Sequence, residues 1–391
     1  MTRMRRSVET RLRAIIEGRD NGRWPATRAL LTPLALGYGR IMAIRARLYA
    51  GNRLSRGRLP CTVIAVGNLT AGGTGKSPMT IHVAQRVRGW GYGVAVISRG
   101  YKGTLSGSAA VVGDGRQVLC DAAAAGDEPV MMALRLPGVP VLVGGDRLAA
   151  GRLAIERFRP DVIVCDDAFQ HLRLVRDIDL VLLDQDRPFG NGWLLPRGML
   201  REPPSALARA HALVLTRCRD DMAGGSVKRP VGVPADKPLF ATRHAPFICR
   251  VVGGRRGVLP PAPVGLGSDG LGLIRGRRAF AFSGIARNDD FRQGVQSAGC
   301  KVVGHLDYPD HHPYTEAELA LIFDRAAAKG AELLVTTEKD YARLVRRHEW
   351  PLDLVVVGVR MAFPDGGGAF DNFLQQRLAA RADRTQKGGS Q

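Results

Sequence analysis

Residues 61–78 read Cys61-Thr-Val-Ile-Ala-Val66-Gly67-Asn68-Leu69-Thr70-Ala71-Gly72-Gly73-Thr74-Gly75-Lys76-Ser77-Pro78, and this stretch decides the fold. A short apolar run with β-branched residues predicts a buried strand. It runs into a glycine-rich loop that closes on Gly75-Lys76-Ser77. Glycines let backbone N–H groups turn inward onto phosphate oxygens, and a following helix aims its positive end at the same charge. Lys76 is expected to reach the β- and γ-phosphates of a nucleotide, and the Ser77 hydroxyl to bind Mg²⁺. The strict pattern asks for glycine where this chain has Thr70, so Gly67, Gly72 and Gly73 compensate in kind but not in position.

Downstream, Val162-Ile-Val-Cys-Asp166-Asp167-Ala168-Phe169-Gln170-His171 is a second apolar run, ending in two carboxylates. A strand with that ending delivers its acids to the carboxyl edge of a sheet, where open α/β folds bind ligands. Such a pair can cap a helix. Beside a phosphate loop it is better read as completing a Mg²⁺ shell, since Mg²⁺ takes hard oxygens and only one or two protein carboxylates.

Around these motifs the pattern alternates. Strands are expected at 61–66, 93–98, 139–143, 161–165, 179–183 and 211–216, with helices such as 78–90 and 146–158 between them. Short, apolar and not alternating in polarity, these strands suit a parallel sheet covered on both faces. A second alternation follows: strands at 279–283, 301–304, 332–336 and 353–358, and helices near 288–299 and 315–329. The fold class is therefore α/β, a P-loop-type mostly parallel sheet sandwiched by helices, with a second, smaller α/β domain. The expected boundaries are 1–50 for a basic amphipathic segment, 51–240 for the nucleotide-binding domain, 241–276 for a linker, 277–378 for the smaller domain and 379–391 for a polar, frayed tail.

Composition narrows the partners. The chain has 391 residues, enough for two domains, and a net charge of +21, which calls for a polyanionic partner, nucleic acid or an anionic membrane surface. Six scattered cysteines without a Cys-x-x-Cys pair read as core residues in a reducing compartment. No apolar run is long enough to span a bilayer, and no secretory leader is evident, so the chain is expected in the cytosol or on the cytosolic face of a membrane. Residues 29–50 mix Leu30, Leu31, Leu34, Leu36, Ile41, Met42 and Ile44 with Arg40, Arg45 and Arg47. Pro33 and Gly37 are expected to divide this segment into a short apolar piece and a helix with an arginine face. Such a helix can lie in a lipid interface or pack on the domain core.

Together the motifs resemble the tetraacyldisaccharide 4′-kinase family of lipid A biosynthesis. The matching stretches are Val66–Pro78, Ser98-Arg99-Gly-Tyr101-Lys-Gly103, Gly126-Asp127-Glu-Pro129, Asp166–His171, Leu195-Pro-Arg-Gly-Met-Leu-Arg201-Glu202-Pro203, Phe282-Ser-Gly-Ile285, Tyr308-Pro-Asp-His311-His312 and Thr336-Thr-Glu-Lys-Asp340. They keep the family's order from roughly residue 30 to 360. Ala168, where the family usually has glycine, and Arg197 and Met199 are departures, but no functional side chain is lost.

The resemblance implies an ATP- and Mg²⁺-dependent transfer of the γ-phosphate to the 4′-hydroxyl of a tetraacyldisaccharide 1-phosphate. In that scheme Asp127 is the general base, His311 its partner and Lys76 a catalytic cation. Gly72, Gly73, Thr74, Gly75, Lys76, Ser77, Gln170, His171, Arg201 and Glu202 surround the nucleotide, and Ser77, Asp166 and Asp167 the metal. Asn68, Arg99 and Tyr101 are assigned to the acceptor. A lipid acceptor further implies an enzyme bound peripherally to the cytoplasmic face of the inner membrane, its charge matched by anionic lipid; nothing in the residues specifies an oligomer. Without the resemblance, Asp127 reads as a helix cap and His311 as a hydrogen-bonded core histidine. Thr337-Glu-Lys-Asp340 is not the Asn-Lys-x-Asp of guanine-specific proteins, which favours ATP. One rival is a membrane-recruited P-loop ATPase that acts as a switch without a small-molecule acceptor. Another, a nucleic-acid-binding ATPase, lacks basic segments interleaved with aromatics, which are only 6% of residues.

Overall fold

In the computed structural model, residues 8, 11–218, 229–257, 259, 269–347 and 349–388 are described, with side chains through residue 381. In chain order the first elements are helix α1 (Pro25–Ala50), β1 (Thr62–Asn68), α2 (Lys76–Gly89), β2 (Val94–Ser98), β3 (Ala110–Gly113), α3 (Asp127–Arg135) and β4 (Val141–Val143). Then come α4 (Arg147–Phe158), β5 (Val162–Asp166), β6 (Ile178–Asp184), β7 (Ala212–Thr216), β8 (Leu239–Ala241) and β9 (Arg243–Val252). The chain continues with β10 (Arg278–Ser283), α5 (Asn288–Ser297), β11 (Lys301–Asp307), α6 (Glu316–Ala328), β12 (Leu333–Thr337), α7 (Glu338–Leu344), β13 (Asp353–Ala362) and α8 (Gly368–Gly388).

Two compact units emerge, neither contiguous in sequence. The first holds Met1–Thr80, Pro160–His244 and Ala362–Gln391; the second holds Ile81–Arg159 and Ala245–Met361. In the first, strands run β5-β1-β6-β7-β8, and each neighbouring pair is parallel. All five residues of β5 and of β7 are buried, as strands covered on both faces require. Leu69, Phe169, Leu183, Leu200, Leu207 and Leu213 form a core beneath the strand ends that carry the motifs.

The second unit contains β3-β4-β2, with β3 antiparallel to β4, and a five-stranded sheet in the order β11-β10-β12-β13-β9. Its core is built on Phe247, Phe280, Phe282, Leu319, Ile322, Tyr341 and Trp350. Local signals set its helix starts. Thr315 and Glu318 close a capping box on α6, and Thr337 caps α7 by accepting the Asp340 N–H.

The expected strands and helices of both alternations are present, and five of the six cysteines are buried. Three readings need correction. Pro33 and Gly37 do not divide the N-terminal segment: α1 is one helix of 26 residues with Pro33 inside it. A proline removes one N–H from the ladder, and here Ala29, whose carbonyl loses its donor, is exposed, so water can satisfy that carbonyl. The segment read as a frayed tail beyond residue 378 continues α8 to Gly388. The stretch 241–276, expected to be a linker, instead contains the ten-residue strand β9, paired in the five-stranded sheet. Within the expected linker, residues 258 and 260–268 lie outside the described residues.

Candidate active site

Two clusters of functional side chains are present, one in each unit. In the first unit, the register Val66↔Asp166 between β1 and β5 brings the glycine loop and the Asp166-Asp167 pair out at the same sheet edge. Gly67 sits where a Cβ would approach Phe169 Cβ to 2.5 Å and its backbone N to 2.9 Å, so only glycine lets the two loops pass. Gly72 and Gly75 hold φ values of +115° and +87°, accessible at little cost only to glycine. A Cβ on Gly73 would meet nothing within 4 Å. That open backbone is where a phosphate cradle needs space.

Polar contacts brace this loop from below. Asn68 is fully buried, and its Nδ2 donates to Thr74 Oγ1 at 2.8 Å. Gln170 Nε2 donates to the Asn68 carbonyl at 2.8 Å. The remaining amide oxygens, Asn68 Oδ1 and Gln170 Oε1, are buried without a hydrogen-bond partner among the described residues. Lys76 Nζ lies 3.4 Å from the Gly72 carbonyl and 3.7 Å from Asp167 Oδ1. Ser77 is buried in the first turn of α2, a turn that carries no acid to oppose an incoming anion.

The two acids are held differently. Asp166 Oδ1 accepts from Thr80 Oγ1 at 3.0 Å. Asp167 has φ +49°, a left-handed backbone, and both of its oxygens accept from Arg201 Nη1 at 2.9 Å. Arg201 is positioned in turn by its N–H on the Leu69 carbonyl at 2.7 Å, in a short antiparallel bridge Thr70↔Leu200. Glu202 is buried and paired with Arg209. His171 contributes backbone contacts, its N–H to the Ala168 carbonyl and its carbonyl to Arg176. Arg217, which sequence reading missed, donates to the Gly73 carbonyl at 2.6 Å and to Asp184 at 2.7 Å.

This donor set fits a triphosphate with a hard divalent ion. Open glycine backbone, a lysine and a helix N-terminus meet the phosphates, and hydroxyl and carboxylate oxygens suit Mg²⁺. No cluster of three or more His, Cys, Asp or Glu gathers among the described residues to bind a metal by itself. Mg²⁺ does not need one, because it keeps waters and shares phosphate oxygens.

The second cluster lies wholly in the second unit. Gly126, at φ +90°, precedes α3, and a Cβ there would meet the Tyr101 carbonyl at 2.7 Å. The Ser98-Arg-Gly-Tyr-Lys-Gly103 turn thus packs backbone to backbone against the start of α3. Asp127, the first residue of α3, is 5% exposed. Its Oδ1 accepts the Glu128 N–H at 2.9 Å; its Oδ2 pairs with His311 Nδ1 at 2.9 Å and with Arg343. Burial alone would raise the Asp127 carboxyl, but the bond to His311 and the charges of Lys339 and Arg343 outweigh it and hold the group well below the usual carboxylate range.

His311 occupies a left-handed turn with φ +64°, its N–H on the Gly284 carbonyl at 3.1 Å. Its ring meets that of Tyr101 edge-on, with centroids 5.8 Å apart. Tyr101 is itself 57% exposed, and Arg99 is exposed as well. Arg343 and Lys339, the latter bonded to Glu128 at 2.5 Å, are further members that the sequence reading did not assign. Their signal was available. Both belong to the Thr336–Asp340 motif or lie one helical turn beyond it, but spacing alone does not tell which surface a helix faces.

Known proteins resemble this chain over most of its length. The family model described as tetraacyldisaccharide-1-P 4′-kinase matches residues 27–379. A tetraacyldisaccharide 4′-kinase of Desulfatibacillum aliphaticivorans is 39% identical over 97% of this chain and 99% of its own length. One from Pelobacter propionicus is 43% identical over 81% of this chain and 83% of its own. A solved structure of LpxK from Aquifex aeolicus in complex with ATP has a TM-score of 0.70 at 28% identity, covering 90% of this chain and 99% of that one.

Proposed function

The chain belongs to the tetraacyldisaccharide-1-P 4′-kinase family, and from that premise we propose that it transfers the γ-phosphate of ATP to the 4′-hydroxyl of a tetraacyldisaccharide 1-phosphate. The observation that carries this reading is the meeting of Asp127 with His311 at 2.9 Å across 184 residues of sequence, in a chain that also has a glycine-rich loop closing on Lys76-Ser77. A switch ATPase needs the loop but has no use for a buried carboxylate oriented by a histidine.

In this mechanism Gly72–Ser77 grip the triphosphate through backbone N–H groups, and Lys76 neutralises charge on its outer phosphates. Ser77 with Asp166 and Asp167 would hold Mg²⁺, which supplies further charge neutralisation when bound. Asn68, expected at the acceptor, and Gln170 and Arg201, expected at the nucleotide, keep the loop and Asp167 in place, while His171 and Glu202 stay assigned to the nucleotide surroundings. Tyr101, whose ring meets that of His311, and Arg99, exposed two residues before it, are the acceptor contacts. The hydroxyl proton passes to the Asp127 carboxylate as the hydroxyl oxygen bonds to the γ-phosphorus. The bond from that phosphorus to the bridging oxygen breaks, and ADP leaves. Little basicity is needed, since catalysis of phosphoryl transfer is mostly positioning and charge stabilisation.

A lipid acceptor calls for a membrane surface, and α1 has the character to meet one. Leu30, Leu34, Ile41 and Ile44 are each more than half exposed and recur at helical spacing, while Arg40 and Arg47 are exposed alongside. Leu31 and Ala35 on the same helix are buried, so α1 both packs and presents. No described helix is long and apolar enough to cross a membrane. We place the working enzyme at the anionic inner-membrane surface, on its cytoplasmic face. The deciding assay supplies labelled ATP and a 1-phosphorylated tetraacyldisaccharide. A doubly phosphorylated lipid is expected; ATP hydrolysis that ignores the lipid would favour the switch reading.

A further inference from the structure

The segment Thr336-Thr-Glu-Lys-Asp340 and the turn after it have no assigned part in the reaction, yet its side chains converge on Asp127. Arg343 stands out. It is 8% exposed as a side chain, and its guanidinium makes four contacts. One nitrogen meets Asp127 Oδ2. The other meets Asp340 Oδ1 at 2.8 Å, the Gly284 carbonyl at 3.3 Å and the His312 carbonyl at 3.5 Å. The Gly284 carbonyl is also the acceptor of the His311 N–H. One side chain therefore binds the carboxylate of the Asp127–His311 pair and the backbone that carries its histidine.

Asp340 completes the frame. Fully buried, it accepts from the Gly284 N–H at 3.0 Å and the Tyr314 hydroxyl at 2.8 Å while it anchors Arg343. Such a buried acid–arginine pair is retained only where its geometry satisfies both partners. A lysine could not copy it: an ammonium is a point charge, whereas the planar guanidinium presents a fixed fork of donors. The left-handed backbone of His311 adds to the argument, because non-glycine residues keep such conformations only where surrounding contacts enforce them. An ionised carboxylate has about four acceptor sites. Glu128 N–H, His311 and Arg343 occupy three of those on Asp127, which leaves one on Oδ1 for an incoming hydroxyl.

We propose that Arg343 is the positioning residue of the Asp127–His311 pair, orienting the carboxylate while it pins the turn that carries the imidazole. The inference rests on the reading of Asp127 as the base. The titratable and charged groups facing Asp127 are His311 from the turn after β11 and Arg343 and Lys339 from α7; Lys339 is itself engaged by Glu128.

The test compares Arg343→Gln and Arg343→Lys with wild type, and uses Asp127→Asn as reference. kcat, KM for ATP, the pH profile of kcat/KM and the melting temperature are measured on the full chain. Arg343→Gln should lower kcat about 100-fold, the order expected of a misplaced catalytic group, with KM for ATP within about twofold. The acid limb of its pH profile should move up by about one pH unit or more, because a buried carboxyl without its cation is protonated sooner. Arg343→Lys restores a charge without the fork; its limb should stay near wild type while kcat falls about tenfold. A purely structural arginine would shift melting and leave the limb alone. A folded Arg343→Gln protein with an unmoved limb and kcat within about threefold overturns the proposal, and so does wild-type kcat in Arg343→Lys if the glutamine variant fails to fold. Wild-type turnover in Asp127→Asn would instead sink the base assignment itself.

Discussion

Gly67 and Gly73, at the two ends of the same phosphate loop, should fail in opposite ways when changed to alanine. At Gly67 the new Cβ meets Phe169 Cβ at 2.5 Å, its N at 2.9 Å and its Cα at 3.2 Å. Two of those atoms are backbone and Phe169 is fully buried, so no rotamer change relieves the clash. Overpacking of this kind costs about 2 kcal/mol, or a melting temperature lower by about 4–8 °C for a unit of this size. At Gly73 the Cβ meets nothing within 4 Å and φ is not left-handed, so stability should hold to within about 0.5 kcal/mol. The same methyl, however, intrudes on the space a phosphate needs and should weaken ATP binding about tenfold, or about 1.4 kcal/mol. Thermal melting without nucleotide and titration with ATP separate the two effects. The reasoning fails if Gly67→Ala melts like wild type, or if Gly73→Ala loses stability while binding ATP normally.

Other outcomes follow from the same geometry. Lys76→Ala should abolish phosphoryl transfer at unchanged melting temperature, measured with labelled ATP; retained turnover would remove the phosphate-loop assignment. Asp127→Asn should lower turnover about 10²–10⁴-fold with little change in ATP affinity, the size expected for loss of a general base. Because the Asp127 carboxyl titrates below its ordinary value of about 3.9, its contribution to stability is present above that pH and drains away as pH falls through the folded value. The asparagine variant should therefore show a flatter loss of stability on acidification, checked by denaturant melts at descending pH. Replacing Leu30, Leu34, Ile41 and Ile44 together with glutamine should release the protein from anionic vesicles in a sedimentation assay while ATP binding persists. About 1.5 kcal/mol per lost leucine contact makes the expected drop at least tenfold; unchanged sedimentation would refute the interfacial reading of α1.

Much was legible from residue order alone. A strand, its glycine loop and the helix that follows are contiguous, and local periodicity with turn chemistry carries that information. So Gly72–Ser77 and the strands of both alternations could be read directly. Asp166-Asp167 was placed by the same logic, since a strand's end is where its sheet edge lies. Helix α1 resisted this reading because proline signals a break, and only the exposure of Ala29 on the folded helix lets its carbonyl turn to water instead.

Residue order alone settled which chemical groups the protein carries, because motifs are local and each local segment dictates its own backbone. Tertiary structure decided which of those groups meet. Asp127 finds His311 184 residues away and Arg343 216 away, and Gly67 is required by Phe169 from beyond the end of a different strand. Such partnerships depend on strand order and on which face a helix turns inward. Both are outcomes of packing the whole chain, and no single stretch of it encodes them.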